Sequence, residues 1–565
     1  FYYRGRAIVA YEGETIAAAL YASGIRAFSR SIKYHRPRGL LCMGGWCPNC
    51  MVRVDGVPNV RGCTTIAREG MRVEPQNSYP GPDLDLLSVL DRLAPLFPVG
   101  FQYRRFIGPG PMRPLYQRLV RRMAGYGALP AAGAETAGTV ERITEVVVVG
   151  GGVAGLAAAK HAAMTGTKVA LVDEGRRLGG RLTYHADRIP GWGEGIAAQE
   201  VAKLSEEVQG LGVEVVAPAT VVGLYPGNLL GVVRGEGLLK LRARRVILAT
   251  GAYDLYPPFE GNDLPGVLLA AGALRLMNGE GIRPGKKAVV LGTGDLALSL
   301  AFQLDRAGVE VQGLLEEGPK VLGSEATAER LGKKGIPIFT SACLKAAYGQ
   351  GNLEGVSLVR DGGEELVEAD LLCLALGLKP AHELPFQAGC RAEYVPGVGY
   401  VPTHDAGMRS SLEGVYAAGG VVGAFDPAGA ASQGLIAGVS AALDLGYRDP
   451  RLEEEMERRM TSSPGGVATE GTWAMREGGF LCTCEDVRYA EVKRAIREGY
   501  WDIESLKRYT GVGTGICQGK LCLRSLVELL AREEGKDPSS VRLTTQRPPA
   551  RPVDLGKLAG GKGAR

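Results

Sequence analysis

The sequence lacks several features that would assign it to common protein classes. It has no run of about 18 apolar residues and no signal-peptide pattern opens it, so we expect no membrane-spanning helix. It has only five histidines and neither paired carboxylates nor a Ser/His/Asp set, which argues against a histidine-rich catalytic metal site and a hydrolase. Its 66 basic and 61 acidic residues balance too closely to indicate a nucleic-acid-binding protein. At 565 residues a single core is excluded, and three or four domains are expected.

Glycine and cysteine are the two residue types that carry information here. Glycine occurs 83 times, about double its ordinary usage, which indicates several glycine-rich nucleotide-binding loops. Eleven cysteines in so long a chain are more typical of cofactor ligands than of a secreted disulfide scaffold.

Changes of pattern divide the chain into segments. From Glu145 onward, buried parallel strands alternate with helices, which is typical of α/β architecture, and two strand–glycine–helix units predict two nucleotide-binding domains, the later inserted into the earlier. The expected segments are a domain of short β-like runs at 1–80, a connector at 81–143, a nucleotide-binding domain at 144–280 and 376–450, an inserted dinucleotide domain at 281–375, a helical cysteine-bracketed domain at 475–535 and an extended tail at 536–565.

Two basic segments have more than one interpretation. The connector carries six arginines and no acid between 101 and 125, which predicts either a solvated linker or an arm that clamps a partner subunit or an anionic cofactor. These arginines are Arg104, Arg105, Arg113, Arg118, Arg121 and Arg122. Near the N-terminus, His35, Arg36 and Arg38 favour a basic surface loop, with support of an anionic cofactor or of a cysteine loop as the alternative.

The first cysteine set has the spacing C-x4-C-x2-C followed by a distant fourth cysteine. Its members are Cys42, Cys47, Cys50 and Cys63. This spacing matches plant-type [2Fe–2S] ligation, in which four thiolates hold two irons, and Gly44 and Gly45 allow the loop to fold tightly round the cluster. Structural zinc also uses four cysteines, but zinc ribbons usually present two paired CxxC knuckles. We therefore predict a [2Fe–2S] cluster here.

The first glycine loop directly follows the apolar strand 146–149 and opens a helix. The motif is G-x-G-x-x-G, formed by Gly150, Gly152 and Gly155. In this context the glycines permit a tight turn, close approach to a pyrophosphate and close helix packing, and the pyrophosphate lies at the helix N-terminus. The next strand ends in Asp173 and Glu174, one of which is expected to bind a ribose hydroxyl; the sequence leaves open which of the two.

A second glycine loop follows the strand 288–291. It consists of Gly292-x-Gly294-x-x-Ala297, and the next strand ends at Glu316 and Glu317. An acid at Glu316 suits the free 2′-hydroxyl of NAD, and no arginine stands beside it in the sequence to accept a 2′-phosphate. A domain retained only as a scaffold is the alternative interpretation.

The segments around the first loop resemble the two-dinucleotide-domain flavoproteins related to glutathione reductase. The quoted segments are Gly179-Gly180-Arg181, LYP at 224–226, VILATGAY at 246–253 and GVYAAGG at 414–420. The resemblance implies FAD in the first domain, held by residues that include Gly180, Arg181, Thr250, Gly251 and Gly419. In that family an Asp in the last segment binds the flavin ribityl, but Gly420 stands here, so NAD or ATP remain alternative occupants. The family's redox CxxC is also absent, so disulfide reduction is not expected.

The second cysteine set brackets a helical stretch near the C-terminus. Its members are Cys482, Cys484, Cys517 and Cys522. It resembles the small [2Fe–2S] domain of bacterioferritin-associated ferredoxin, in which two loop pairs converge at the end of a helical hairpin; zinc is again the alternative. The glycines of the later loop, Gly511, Gly513, Gly515 and Gly519, supply its turns. The remaining cysteines, Cys343, Cys373 and Cys390, match no ligand spacing and are expected to be buried free thiols.

Taken together, the segments resemble the large (alpha) subunit of heteromeric amine-oxidising flavoenzymes, a group with sarcosine oxidase, opine oxidase, dye-linked L-proline dehydrogenase and hydrogen cyanide synthase. The resembling segments are SIKYHRPRG at 31–39, GNDLPGVLLAAGALRLMN at 261–278, RYTGVGTGICQGKLC at 508–522 and RPPARPVDLG at 547–556. The expected fold is α/β: two glutathione-reductase-like dinucleotide domains, preceded by a β-grasp [2Fe–2S] ferredoxin-like domain and followed by a small helical [2Fe–2S] domain.

The resemblance also implies a function. It predicts an electron-relay, nucleotide-binding subunit with no catalytic residue of its own, an FAD-containing beta subunit of the amine-oxidase type that oxidises the amine, further small subunits in some complexes, and FMN at the subunit interface. Two [2Fe–2S] clusters favour a dehydrogenase that relays single electrons, and a reducing compartment, so we expect the cytoplasm, with association at the inner membrane face as an option. The competing hypotheses are a self-contained NAD(P)H-dependent flavin/iron–sulfur reductase and a nucleotide-binding scaffold without redox turnover.

Overall fold

The computed structural model describes residues 1–94, 99, 114, 118, 125–127, 139–189, 191–235, 237–462 and 476–558. Five of the six connector arginines therefore lie outside the described residues, and Arg118 is exposed. The chain divides into two compact units. One comprises Phe1–Ala131, Asp254–Gly377 and Gly471–Leu543, and the other comprises Ala132–Tyr253, Leu378–Glu470 and Thr544–Arg565. Within the described ranges, no helix combines the length and the apolar character needed to cross a bilayer.

The N-terminal part of the first unit is a mixed five-stranded sheet that packs against one helix. Its strands, in spatial order, are Arg6–Ala7, Tyr2–Tyr3, Arg72–Pro75, Met51–Val54 and Val57–Arg61. The helix Ile16–Ala22 begins where the Thr15 hydroxyl accepts a hydrogen bond from the Ala18 N–H, and almost all of its residues are buried. Between the helix and the strand Met51–Val54 the chain forms the first cysteine loop.

The inserted part of the first unit has a five-stranded, all-parallel sheet. Its strands, in spatial order, are Val267–Leu269, Leu371–Leu374, Lys287–Leu291, Glu310–Leu315 and Ile338–Phe339. The helices are Ala270–Leu274, Asp295–Arg306 and Glu325–Lys333, and an antiparallel sheet adds Cys343–Tyr348, Gly355–Arg360 and Gly363–Glu368. This part begins before the expected residue 281, because the strand Val267–Leu269 pairs with Leu371–Leu374.

The C-terminal part of the first unit is helical, as its amphipathic pattern predicts. A short hairpin, Phe480–Cys482 with Val487–Arg488, precedes the helices Tyr489–Arg497, Ile503–Thr510 and Leu523–Glu534. Asp502 caps the second helix by accepting from the Ser505 N–H, and Gly511, at a φ of +84°, ends it. The two cysteine pairs flank the first two of these helices.

The second unit contains a sheet with a parallel centre and an antiparallel side. The parallel strands are Glu214–Val216, Val169–Val172, Thr139–Val149, Gly237–Leu248 and Val415–Ala417; Leu229–Arg234 and Ala219–Tyr225 extend the sheet antiparallel to Gly237–Leu248. The strand Val415–Ala417 comes from after the inserted part of the chain, as an insertion predicts. The helices Val153–Met164 and Pro427–Leu443 pack so closely that a Cβ at Gly434 would overlap the Ala154 carbonyl.

The remaining elements are short or peripheral. Helices of the second unit are Ala197–Gly210, Glu383–Ala388, Pro450–Ser462 and Leu555–Leu558; tighter or wider helical turns are Leu86–Ser88, Gly180–Tyr184, Arg275–Gly279, Gly419–Val422 and Pro538–Ser540; further short elements are Ser29–Arg30, Pro37–Arg38, Val89–Arg92, Ala252–Asp254, Leu378–Pro380, Ala392–Val395 and Gly399–Pro402.

Candidate cofactor sites

The four thiols of the first cysteine set are buried and lie together. Cys42 hydrogen-bonds with Cys47 and with Cys63, and Cys50 hydrogen-bonds with Cys63. Burial opposes ionisation of Cys42, but the neighbouring thiols and the backbone N–H groups of Gly44 and Trp46 hold its pKa well below the ordinary value. The Gly44 N–H lies 3.3 Å from the Cys42 Sγ atom. The loop thus provides N–H donors that stabilise thiolate charge.

An arginine from the inserted part of the chain supports this loop. The Arg275 Nη1 atom donates to the Cys42 carbonyl oxygen at 2.9 Å. A Cβ on Gly44 would lie 2.5 Å from the same Nη1 atom, so only glycine leaves room for the guanidinium group. The expected need for glycine at this position therefore has a physical basis, and Arg275 is a supporting residue that the cysteine spacing did not indicate.

The second cysteine set is also buried and in mutual contact. Cys482 hydrogen-bonds with Cys484 and Cys522, and Cys484 hydrogen-bonds with Cys517. The backbone N–H of Gly513 hydrogen-bonds with Cys482. A Cβ on Gly515 would overlap the Cys484 side chain, so this glycine lets the later loop approach the earlier pair.

The arrangement of the thiols bears on the kind of metal group that they suit. Among the described residues, no set of three or more Cys, His, Asp or Glu side chains surrounds a single ion position. Tetrahedral zinc needs four ligands at one point, whereas a [2Fe–2S] cluster needs two thiolates on each of two irons. Both cysteine sets consist of contacting thiols that can be divided into two pairs, which fits a binuclear cluster. The other cysteines are free; Cys373 and Cys390 are buried, and Cys343 is partly exposed.

The first glycine loop has the geometry that its motif predicts. Gly150 has a φ of +104°, and a Cβ there would overlap the Ala249 carbonyl oxygen. A Cβ on Gly155 would overlap the carbonyl oxygen of Gly150, so helix and loop meet without space for a side chain. Gly152 lies just before the helix Val153–Met164, whose free N–H groups can bind an anion. Gly180 adjoins the loop, because its Cβ would lie 3.0 Å from the Gly152 Cα atom.

The two acids after the next strand have different environments. Asp173 accepts hydrogen bonds from the N–H groups of Gly151 and Gly175, each at 2.6 Å, and so fixes the glycine loop. Burial raises the Asp173 pKa to about 6, against these hydrogen bonds. Glu174 leaves 46% of its side chain exposed and forms an ion pair with Arg551. The acid whose carboxylate remains accessible to a ribose is therefore Glu174.

These acids line a solvent-open cavity of about 570 Å³ in the second unit. The lining residues from the first half of the chain are Val149, Gly150, Val172, Asp173, Glu174, Ala219, Thr220, Val221, Thr250 and Tyr253. Those from the later part are Ala381, Glu383, Leu384, Ala550 and Arg551. The Thr250 hydroxyl donates to the Ala381 carbonyl at 2.9 Å, and the Ala381 N–H donates to the Gly251 carbonyl at 2.9 Å, which fixes the ATG segment beside the cavity.

The remaining residues of the expected FAD pocket lie outside this cavity lining. Arg181 is partly buried in the helical turn Gly180–Tyr184. The Gly419 N–H donates to Gln433 Oε1 at 2.9 Å, and a Cβ on Gly419 would lie 2.5 Å from that of Ala154. A Cβ on Gly420 would lie 3.0–3.2 Å from atoms of Gly251 and Ala252. Gly420 thus stands where the local backbone leaves little room for the side chain expected in this kind of flavoprotein.

The second glycine loop repeats the geometry of the first. Gly292 has a φ of +102°, and a Cβ there would overlap the Ala375 carbonyl, as at Gly150 and Ala249. Gly294 precedes the helix Asp295–Arg306, in which Ala297 is fully buried. Glu316 is 6% exposed and accepts from the Thr293 hydroxyl at 2.7 Å and the Gly318 N–H at 3.1 Å, so it fixes this loop as Asp173 fixes the other. Its expected contact with a ribose stays a prediction.

The repeat extends to the second acid of each pair. Glu317 forms an ion pair with Arg476, as Glu174 does with Arg551. The sequence placed no arginine beside Glu316 and Glu317, and the structure corrects this, because Arg476 arrives from 159 positions along the chain. Arg476 and Arg551 are residues that sequence reasoning missed, since no local pattern links them to the glycine loops.

The expected surface position of the N-terminal basic residues is wrong. His35 and Arg38 are buried, with exposed fractions of 1% and 3%. The His35 ring contacts Asp85 at 3.0 Å, and Arg38 forms ion pairs with Asp263 and Asp486. Burial of such side chains requires charged partners, and these partners come from distant parts of the sequence.

Comparisons with known proteins agree with this arrangement. Residues 144–444, more than half of the chain, match the pyridine nucleotide-disulphide oxidoreductase family. Residues 1–78 match the 2Fe-2S iron-sulfur cluster binding domain, and residues 476–562 match the sarcosine oxidase A3 domain.

Similar proteins extend over most of the chain. The alpha subunit of sarcosine oxidase from Rhizobium meliloti (strain 1021) is 30% identical over 99% of this chain and 57% of that protein, and an opine oxidase subunit from the same strain is 26% identical over 74% and 98%. The chain spans only 55–57% of the sarcosine oxidase relatives that it matches. A crystal structure of L-proline dehydrogenase from P. horikoshii, 24% identical, has a TM-score of 0.71 and covers 99% of this chain and 96% of that one, which shows a shared fold.

The expected fold class is confirmed, with an iron–sulfur domain before, and a small helical domain after, a two-domain dinucleotide-binding core of the flavin type. The expected family is confirmed as well. This chain belongs to the pyridine nucleotide-disulphide oxidoreductase family and, within it, to the group that contains the alpha subunit of sarcosine oxidase and its opine oxidase counterpart.

Proposed function

We propose that this chain is the electron-relay and nucleotide-binding subunit of a heteromeric flavin/iron–sulfur dehydrogenase that acts on a secondary amine or amino acid such as L-proline, an opine or sarcosine. The observation that carries the proposal is the presence of two buried four-cysteine sets in one compact unit, together with a dinucleotide-binding cavity in the other. Relatives of the chain are named as subunits of sarcosine and opine oxidases, and the chain shares its fold with an L-proline dehydrogenase.

The proposed role of each cysteine set follows from its surroundings. Cys42, Cys47, Cys50 and Cys63 would hold one [2Fe–2S] cluster, and Cys482, Cys484, Cys517 and Cys522 would hold the other. Such a cluster supplies reversible one-electron transfer when it is bound. The protein contributes burial, which excludes water, and N–H donors such as those of Gly44 and Gly513, which stabilise negative charge on the sulfurs.

The first dinucleotide domain is proposed to bind FAD, with NAD or ATP as alternatives. Gly150, Gly152 and Gly155 present the helix N-terminus to a pyrophosphate, and Glu174 is available to a ribose. The lack of a carboxylate at Gly420 removes one flavin contact, and backbone N–H groups near it can hydrogen-bond a ligand at close range.

The substrate amine is proposed to bind elsewhere, on an FAD-containing beta subunit of the amine-oxidase type, with FMN at the interface between the two subunits and, in some complexes, further small subunits. FMN exchanges electrons in pairs or singly, which suits the junction between amine oxidation and iron–sulfur carriers. We place the complex in the cytoplasm, where a reducing environment preserves thiolate ligands.

The experiment separates the chain from its partner. The full chain, purified alone and with its co-purifying subunit identified by mass spectrometry, is assayed with a dye acceptor and L-proline, sarcosine or an opine. The proposal expects turnover only in the complex. Oxidation of any of these amines by the isolated chain would contradict it, and so would iron and sulfide analysis that finds neither element.

A self-contained NAD(P)H-dependent reductase is the second candidate, and one observation favours it. The second glycine loop keeps the turn of Gly292, the acid Glu316 and the Glu317–Arg476 pair, as a working dinucleotide site would require. Anaerobic NADH or NADPH should bleach the flavin of the isolated chain if this candidate is correct, and should leave it oxidised if the chain is a relay subunit.

A further inference from the structure

The C-terminal tail is fixed against the sheet of the second unit. The Ala550 N–H donates to the Val222 carbonyl oxygen at 2.8 Å, beside the strand Ala219–Tyr225. Ala550 is 7% exposed and belongs to the same buried apolar cluster as Val172 and Leu384. A backbone hydrogen bond and core packing therefore set the position of the next residue, Arg551.

Arg551 contributes to the wall of the cavity that contains Glu174. Its guanidinium group pairs with the Glu174 carboxylate, and its Cζ atom lies 5.4 Å from the centre of the Tyr253 ring. The Arg551 side chain is 19% exposed, so it is held in the cavity wall rather than extended into solvent. The Tyr253 hydroxyl in turn donates to Glu383 at 3.2 Å.

The charges around the cavity make this arginine distinctive. Three carboxylates line it, those of Asp173, Glu174 and Glu383, and Arg551 is the one positively charged side chain among the described residues of the lining. A guanidinium group can hydrogen-bond a phosphate or a ring nitrogen, and can lie over the face of a purine. The wall beside it is apolar at Val172, Ala219 and Leu384, which suits a flat base.

We propose that Arg551 binds the adenosine end of the nucleotide in the first dinucleotide domain, so that the C-terminal tail completes the cofactor site. The inference rests on the proposed nucleotide binding and adds a residue and a segment that the glycine motif does not include. Glu174 then accepts from the ribose while Arg551, on the same ion pair, covers the base or its nearest phosphate. The ligand class is an adenine nucleotide.

The test compares two arginines of one tail in the full chain. Arg551→Ala removes the proposed contact, and Arg547→Ala is the matched control because Arg547 is exposed on the same segment. The chain is stripped of its nucleotide, and FAD, NAD and ATP are each titrated by calorimetry. For the nucleotide that the wild type binds, Arg551→Ala should weaken binding about 10- to 100-fold, the range for loss of a charge-assisted hydrogen bond. Arg547→Ala should bind as the wild type does.

A second pair of variants distinguishes direct contact from support of Glu174. If Arg551 only positions Glu174, then Arg551→Ala should have no further effect in a chain that already carries Glu174→Gln. Direct contact predicts that the double variant binds more weakly than Glu174→Gln alone, while iron content and the circular dichroism spectrum stay unchanged.

The outcomes separate the inference from the function on which it rests. Equal nucleotide affinity of wild type and Arg551→Ala, or no further loss in the double variant, would overturn the role of Arg551 and leave nucleotide binding intact. A wild-type chain that binds none of the three nucleotides would overturn nucleotide binding itself, and the inference with it.

Discussion

Arg38 forms a buried ion pair with Asp486, a residue 448 positions later in the chain. Arg38 precedes the first cysteine loop by four residues, and Asp486 follows Cys484 by two. The second oxygen of Asp486 accepts from the N–H groups of Lys33 and Tyr34, and Arg38 also pairs with Asp263. One buried network therefore joins the N-terminal, inserted and C-terminal parts of the first unit, and it fixes both cysteine-bearing segments.

Replacement of Arg38 by methionine should destabilise the first unit by about 3–5 kcal/mol, because Asp486 would remain buried without its cation. Urea unfolding of the full chain measures this. The control is Arg53→Met, whose partner Glu74 is exposed, so that its loss should cost only about 0–1 kcal/mol. Equal unfolding midpoints for the two variants would show that the buried network does not hold the unit together.

Asp173 should make the stability of the second unit depend on pH. Burial raises its pKa to about 6 from 3.8, so the folded state binds the proton more tightly than the unfolded state does. Its contribution is fully present below about pH 4 and is lost as the pH rises through about 6, a change of about 3 kcal/mol. Unfolding at pH 5 and pH 7.5 should show the wild type gaining stability at the lower pH. Asp173→Asn should gain less, and an equal gain in the variant would assign the effect to another group.

Gly155→Val should expel the nucleotide and leave the iron content unchanged. Any Cβ at this position overlaps the Gly150 carbonyl oxygen, whereas both cysteine sets lie in the other compact unit. Gly210→Ala is the matched control, because it lies at the end of a helix of the same unit with no atom within 4 Å of the added methyl group. Nucleotide is released by acid and measured by chromatography, and iron is measured on the same sample. Retention of nucleotide by Gly155→Val would contradict the proposed site.

The cysteine sets should bind about four irons per chain, on the rule of four thiolates for each two-iron cluster. Cys47→Ser and Cys517→Ser should each remove about half of the iron and of the visible charge-transfer absorption. Cys343→Ser is the control, because this thiol is partly exposed and outside both sets. Zinc without visible absorption would contradict the assignment, and loss of all iron in one variant would contradict independent clusters.

The sequence predicted those parts of the sites that depend on neighbours along the chain. The turn at Gly150 and the cysteine spacings are local patterns, and the structure places these residues together as expected. Which of Asp173 and Glu174 remains accessible was not readable, since it depends on which backbone N–H groups fold toward each carboxylate. Arg551 was missed because its partner lies 377 positions away, and such a pairing exists only once the chain has folded.

The last prediction concerns Gly420, which stands where related flavoproteins carry an aspartate. If its glycine merely reflected a lost contact, Gly420→Asp should restore a charge-assisted hydrogen bond to the flavin ribityl and tighten FAD binding about tenfold or more. The structure predicts no gain, because the new Cβ would lie 3.0–3.2 Å from Gly251 and Ala252 and would press on the segment that also holds Thr250. We therefore expect FAD affinity, measured by calorimetry on the stripped full chain, to be unchanged or weaker in Gly420→Asp. Gly420→Ala is the control for crowding alone, since it adds the same Cβ without a carboxylate. Tighter binding by the aspartate variant than by both wild type and alanine variant would show that the backbone can yield and that the ribityl chain lies within reach of position 420.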